Sequence, residues 1–125
     1  MKFNKIVALA LALVMVFALC ACGGGDKGTA DNGEKVVKIG VFEPASGDSG
    51  AGGKKEMLGM QYANQETPTV EIGGETYKVE LVYSDNGSDS AKAVSAASKL
   101  VNEKVSLVLG SYGSGVSIAA SDTFK

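Results

Sequence analysis

The chain has 125 residues, with 12 lysines, 14 acidic residues and a net charge of −2. Arginine, histidine and tryptophan are absent, which excludes a Ser-His-Asp triad, an imidazole metal site and a guanidinium clamp within these residues. A mildly acidic chain without arginine also lacks the clustered positive charge that nucleic-acid phosphates need, and its length allows at most one small domain.

Lys2 and Lys5 precede Ile6–Cys22, 17 residues without a charge or turn former. This is the layout of a secretory signal peptide, at the lower limit of what could span ~30 Å of hydrocarbon. Leu19-Cys20-Ala21-Cys22 resembles a bacterial lipobox: the small Ala21 suits a tight peptidase subsite, and the Cys22 thiol becomes the lipid attachment point. Residues 1–21 are therefore expected to be removed. The remaining 104 residues carry a net charge of −4 and one cysteine, so no disulfide can form within the mature chain, although the compartment would permit one. Residues 22–35 form the expected tether between lipid and domain, because Gly23–Glu34 (GGGDKGTADNGE) has no large apolar residue.

From Val36 the pattern changes. Val36–Phe42 (VVKIGVF) is short, apolar and β-branched, which predicts a strand buried on both faces. Glu43–Gly53 reads as a glycine-rich loop. Lys54–Asn64 reads as a helix whose apolar face carries Met57, Leu58 and Tyr62, widened by Met60. Val70–Ile72 and Thr76–Ser84 flank Gly73-Gly74, a two-residue hairpin signal. Ser88 is the expected N-cap of a helix over 90–103, with an apolar face of Ala93, Val94, Ala97, Leu100 and Val101. Val105–Leu109 is a further strand, Gly110–Gly115 a second glycine-rich loop, and Val116 opens a last helix.

Alternating strands and helices imply an α/β domain with a mainly parallel sheet. Right-handed crossovers place the first strand between the other two, order 2-1-3. The two glycine-rich loops then flank the crevice at the carboxyl ends of the first and third strands, where open α/β sheets bind ligands. Three strands leave an exposed hydrophobic edge. Residues 36–125 are accordingly expected to be the N-terminal part of a longer protein.

Most motif readings fail on spacing. A phosphate loop ending at Gly53-Lys54 would need glycine where Asp48 stands and a hydroxyl where Lys55 stands. A dinucleotide fingerprint from Gly50 and Gly52 meets Lys55 at its third glycine. A calcium loop from Asp85 would need a closing glutamate where Ala96 stands. Ser114 lies in Gly-Ser-Gly-Val-Ser rather than a nucleophile elbow, so a hydrolase would have to find its base elsewhere. The second loop is more suggestive. Gly113-Ser114-Gly115 lets backbone approach a ligand, Ser114 and Ser117 offer hydroxyls, and a helix start follows; together these suit a carboxylate. The same hydroxyls could equally serve as N-caps.

Four segments in order resemble the branched-chain amino-acid-binding (leucine/isoleucine/valine) family of extracytoplasmic solute-binding proteins. They are the first strand with Pro44-Ala45-Ser46-Gly47, Gly59-Met60-Gln61-Tyr62-Ala63, Leu81–Leu100, and Leu109-Gly110 with Ser114–Asp122. The resemblance implies a periplasmic-binding-protein type I fold of two lobes closing on a small amino-acid-like or amide-like ligand. It implies no cofactor, no metal and no covalent chemistry, a monomer held by lipid at the membrane, and an ABC permease as partner. Ser114 would bind the ligand's α-carboxylate, with Gly113, Gly115 and Ser117 beside it; Ser46 and Gly53 belong to the first loop. Groups for the α-amino end and side chain are expected beyond Lys125. One departure stands out: the aromatic that often precedes the glycine at Gly53 is Gly52 here. A receptor sensor domain using the same lobes is the alternative, and a lipid-anchored serine hydrolase a more distant one.

Overall fold

The computed structural model describes residues 33–125. The expected signal peptide, Cys22 and most of the tether lie outside the described residues. The elements are strand β1 (Val36–Phe42), helix α1 (Gly50–Glu66), strands β2 (Thr69–Ile72) and β3 (Glu75–Tyr83), helix α2 (Ser90–Asn102), strand β4 (Leu107–Gly110) and helix α3 (Ser114–Ala120). None of these helices is long and apolar enough to cross a membrane.

The four strands form one sheet in the order β2-β3-β1-β4. β1 is central and parallel to both neighbours, with Ile39 opposite Leu81 on one side and Leu107 on the other. This is the predicted 2-1-3 order. The hairpin adds β2 antiparallel to β3 at one edge, with Ile72 opposite Glu75. Its turn is Gly73-Gly74 at φ +62° and +83°, the left-handed pair that a tight hairpin demands and that glycine adopts without strain.

The core lies on one face of the sheet. Phe42 packs there with Ala93, Ala96, Ala97 and Leu100 of α2 and with Val116 and Ala120 of α3. The Phe42 and Phe124 rings meet edge to face at 5.3 Å and 87°, an arrangement favoured by the ring quadrupoles. Each large side chain buried here contributes about 1.5–3 kcal/mol. The helix stripe differs from the predicted one: Ala96 is buried, whereas Val94 and Val101 are exposed. Three alanines let α2 lie close to the sheet and α3, which leaves the two valines on the flanks.

Helix α1 covers the other face more loosely. Between them runs an open groove of about 780 Å³, lined by Val37, Ile39, Leu81 and Leu109 from the sheet and by Met60 and Ala63 from α1. Only the C-terminal half of β1 is buried, so the expectation of burial on both faces holds for Val41 and Phe42 but not for Val37 or Ile39. The inward side of α1 is also rotated from the predicted one. Leu58 and Tyr62 face solvent, while Gly53 is buried and Met60 and Ala63 line the groove.

Helix α1 begins at Gly50, four residues before its predicted start. The Ser49 carbonyl accepts from Gly52 N and Gly53 N at 3.0 Å each, so residues that read as loop form the first helical turn. The cap of α2 is Asp89 rather than Ser88. Its carboxylate accepts from Ala91 N at 2.7 Å and Lys92 N at 2.9 Å, a charge-assisted version of the same capping bond. Ser88 instead sits in the left-handed region at φ +56° and accepts from Ser49 N at 3.2 Å.

Candidate functional site

The carboxyl ends of β1 and β4 diverge into a cleft of about 440 Å³. Its walls carry Glu43 just past β1, Glu56 and Met60 from α1, Tyr112 from the β4–α3 loop, and Ser114 and Ser117 from α3. The location follows from topology, because strands leaving the sheet in different directions open a crevice at the switch point.

Two polar residues, Asn86 buried and Asp85 half-buried, hold the loops around this cleft. Asn86, with no exposed surface, donates from Nδ2 to the Phe42 carbonyl at 2.8 Å and to the Ser111 carbonyl at 3.3 Å. Its Oδ1 accepts from Ser88 N at 2.9 Å. One side chain thus ties the end of β1, the β4–α3 loop and the β3–α2 turn. Asp85 beside it accepts from Ala45 N at 2.7 Å, Ser46 Oγ at 2.6 Å and Gly87 N at 2.9 Å, and Lys92 Nζ lies 3.3 Å away. Burial by itself would raise the Asp85 carboxyl; the bonds from Ser46, Ala45, Gly87 and Lys92 outweigh it and hold the group well below the usual carboxylate range.

The residues singled out in sequence fall into two groups. Gly113, Ser114 and Ser117 share the α3 wall of the cleft. Gly113 is the residue that caps α3, and it does so without a side chain, so Ser114 is not spent as a cap and its hydroxyl has no hydrogen-bond partner among the described residues. Ser117 Oγ lies 2.6 Å from Ser111 Oγ. The other three do not line the cleft. Gly115 accepts from Ser90 Oγ at 3.4 Å, Ser46 is bound to Asp85, and Gly53 is pressed onto Pro44, where a β carbon would stand 2.2 Å from the Pro44 carbonyl oxygen.

Sequence reasoning overlooked Glu43 and Tyr112. Glu43 is 2% exposed, and among the described residues no N–H or hydroxyl donor reaches its buried Oε2. Burial first, then the charge of the neighbouring Glu56 carboxyl and a hydrogen bond between the two carboxyls, push its pKa up from 4.5 to about 7. The only sequence signal was its place, an acid directly behind an apolar strand. Tyr112 stands at φ +68°, and its ring occupies the space that a side chain at position 52 would fill. An aromatic ring is thus present beside Gly52, delivered by the β4–α3 loop.

An exposed hydroxyl, a buried acid and an aromatic ring thus meet around one small cleft. Among the described residues no three acidic or cysteine side chains converge as a metal site would require.

The family model described as periplasmic binding protein matches residues 36–125. The Leu/Ile/Val-binding protein homolog 2 of Brucella abortus is 33% identical over 111 residues, covering 89% of this chain and 28% of that relative. The crystal structure of a leucine-binding protein, LivK, from Thermotoga maritima is 38% identical with a TM-score of 0.62, over 70% of this chain and 24% of that one. The substrate-binding protein LivJ of a branched-chain amino acid transporter from Streptococcus pneumoniae, in complex with isoleucine, is 34% identical with a TM-score of 0.61, over 71% and 26%. The chain therefore spans between about a quarter and three tenths of the length of these relatives.

Proposed function

The chain belongs to the periplasmic binding protein family, with its type I fold, and on that premise we propose that it is part of the first lobe of the solute-binding component of an ABC importer. The ligand is a small amino acid held between this lobe and a second one, and lobe closure presents the loaded protein to the permease. Cys22 carries the lipid that keeps it at the outer surface of the membrane, with residues 22–35 as the tether. No bond is made or broken in the ligand.

The observation that carries this reading is Ser114: its hydroxyl has no hydrogen-bond partner among the described residues, stands at the first residue of α3, and lines the switch-point cleft. A ligand carboxylate would accept from that hydroxyl, and Ser117 and the backbone of Gly113 would shape the surrounding wall. Gly53 and Ser46 act one step back, by fixing the β1–α1 loop against Pro44 and Asp85.

Calorimetry of the full-length protein against branched-chain and other amino acids, amides and urea tests it. Binding of at least one amino acid is expected, lost in Ser114→Ala with no turnover of the ligand. Stabilisation by the ligand would accompany it. A full-length protein indifferent to the whole panel would refute the reading, and hydrolysis abolished by Ser114→Ala would replace it with an enzyme.

A further inference from the structure

We propose that Asn86-Gly87 is a self-modification site: when the β3–α2 turn opens, the Gly87 backbone nitrogen attacks the Asn86 side chain, and the product can no longer hold the loops together. Gly87 N bonds to Asn86 Cγ, the Cγ–Nδ2 bond breaks, and the proton of Gly87 N leaves with Nδ2 as ammonia. The resulting succinimide takes up one water and opens to aspartate or isoaspartate at position 86. No oxidant, reductant or enzyme is needed.

The fold itself fixes both members of the pair. Position 86 must donate to the Phe42 and Ser111 carbonyls, at 2.8 and 3.3 Å, and accept from Ser88 N at 2.9 Å. An amide does both; a carboxylate only accepts. Position 87 stands at φ +62°, and a β carbon there would lie 2.8 Å from Lys92 Cδ, so it calls for glycine. Asparagine is thereby followed by the residue that hinders ring closure least. The electrophile is also poised, because the bond from Ser88 N to Oδ1 draws electrons from the carbon under attack. What the fold withholds is the nucleophile. Gly87 N–H donates to Asp85 Oδ1 at 2.9 Å, and that carboxylate, held ionised by its hydrogen bonds, opposes loss of the neighbouring proton. Asn86 has no exposed surface, so solvent base does not reach it either. Ring closure therefore waits for local opening of the turn.

The product breaks the latch. Aspartate at position 86 has no hydrogen to give, so the Phe42 and Ser111 carbonyls lose their donor and face a buried negative charge. Isoaspartate does the same and lengthens the backbone of the turn by one carbon. The end of β1 and the β4–α3 loop, which Asn86 ties together, come apart. An opening event is thus recorded irreversibly in the covalent structure.

The other Asn-Gly pair in these residues, Asn32-Gly33 in the expected tether, supplies a reference rate within the same molecule. The full-length protein is aged at neutral pH in buffer and in concentrated guanidinium chloride, and aspartate and isoaspartate at residues 32 and 86 are read by peptide mass spectrometry. In buffer Asn86 should convert at least about tenfold more slowly than Asn32, and in denaturant within about threefold of it. Gly87→Ala, compared in denaturant where its folding does not matter, should slow conversion at residue 86 by about tenfold or more and leave Asn32 unchanged. On dilution from denaturant, chains converted at Asn32 alone should regain protease resistance, and chains converted at Asn86 should not. Asn86→Asp reads the same latch without ageing, and should unfold at a lower denaturant concentration than the wild-type protein. Equal conversion of the two asparagines in buffer, or no acceleration at Asn86 in denaturant, overturns the withheld nucleophile. A Gly87→Ala chain that converts as fast as the wild type in denaturant overturns the attack by Gly87 N. Full refolding of chains converted at residue 86, or an Asn86→Asp protein as stable as the wild type, overturns the latch.

Discussion

The Tyr112 ring lies over Gly52 so closely that a β carbon on Gly52 would stand 2.5 Å from Tyr112 Cζ and Oη. The first turn of α1 and the β4–α3 loop are 60 residues apart in sequence, yet each accounts for the other. The ring can lie across the helix start only because position 52 has no side chain. The β4–α3 loop, which leads into Ser114, and α1, which bears Glu56, are thereby in contact.

Replacing Gly52 with alanine should therefore move the ring rather than unfold the domain. The atoms that would collide belong to the far end of a side chain that is 54% exposed, so the ring can swing into solvent at little cost. The expected change in stability is within about 0.5 kcal/mol. The Tyr112 ring resonances should shift clearly in the NMR spectrum, and ligand affinity should fall with them. Unperturbed Tyr112 resonances would show that the contact is not made in solution.

Two glycines farther along α1 separate close packing from propensity. A β carbon on Gly53 would meet the Pro44 carbonyl oxygen at 2.2 Å and the proline ring at 2.7 Å. Neither backbone nor ring can give way, so α1 must lift from the β1–α1 loop, and Gly53→Ala should cost about 1–3 kcal/mol. Around Gly59 nothing lies within 4 Å. There alanine only restricts the unfolded chain and favours the helix, and should stabilise by about 0.5–1 kcal/mol. Urea unfolding should give midpoint shifts of opposite sign at similar slopes. Equal shifts in the same direction would contradict the packing at Pro44.

These contacts also show what could be read from the sequence. The apolar run Val36–Phe42, the alternation from Thr76 to Tyr83 and the glycine pair at 73–74 each carry their own periodicity or turn chemistry, and strand order followed from the handedness of crossovers. The start of α1 was not legible. Gly50-Ala51-Gly52-Gly53 has the composition of a loop, and only the tertiary fit of Gly53 on Pro44 and Gly52 under Tyr112 makes it a helix. The stripe of α2 was misread for a related reason: valines outweigh alanines on any hydropathy count, but close approach selects the smaller side chain. The place of Ser114 on the cleft wall was visible through its glycine neighbours. Glu43 was not, because a buried acid differs from a surface acid only in its surroundings.

Asp85 should govern the acid limb of stability. Its hydrogen bonds hold the folded-state pKa well below the ordinary carboxylate value near 3.8. Their contribution is fully present above that value and is lost as pH falls through the lower, folded-state one. Asp85→Asn keeps one acceptor but no charge, and should cost about 1.5–3 kcal/mol at neutral pH while flattening the loss of stability below about pH 4. Lys92→Met, which removes only the exposed ammonium 3.3 Å away, should cost less than about 1 kcal/mol. Equal effects of the two substitutions would mean that the ion pair, and not the bonds to Ala45, Ser46 and Gly87, fixes the loop.

Glu43 should act in a different pH window and with the opposite sign. Its pKa rises from 4.5 in the unfolded chain to about 7 in the fold, through burial and then through Glu56. Between those values the folded protein retains a proton that the unfolded chain has given up. Stability without ligand must therefore fall as pH climbs from about 4.5 through about 7. Glu43→Gln places a neutral group of similar size in the same pocket and removes the titration. The variant should match the wild-type protein near pH 4 and exceed it above pH 7, by at most about 3 kcal/mol. Unfolding by urea at pH 4.5, 6 and 8 reads this directly. Parallel profiles for the two proteins would show that Glu43 is already ionised and paired in solution.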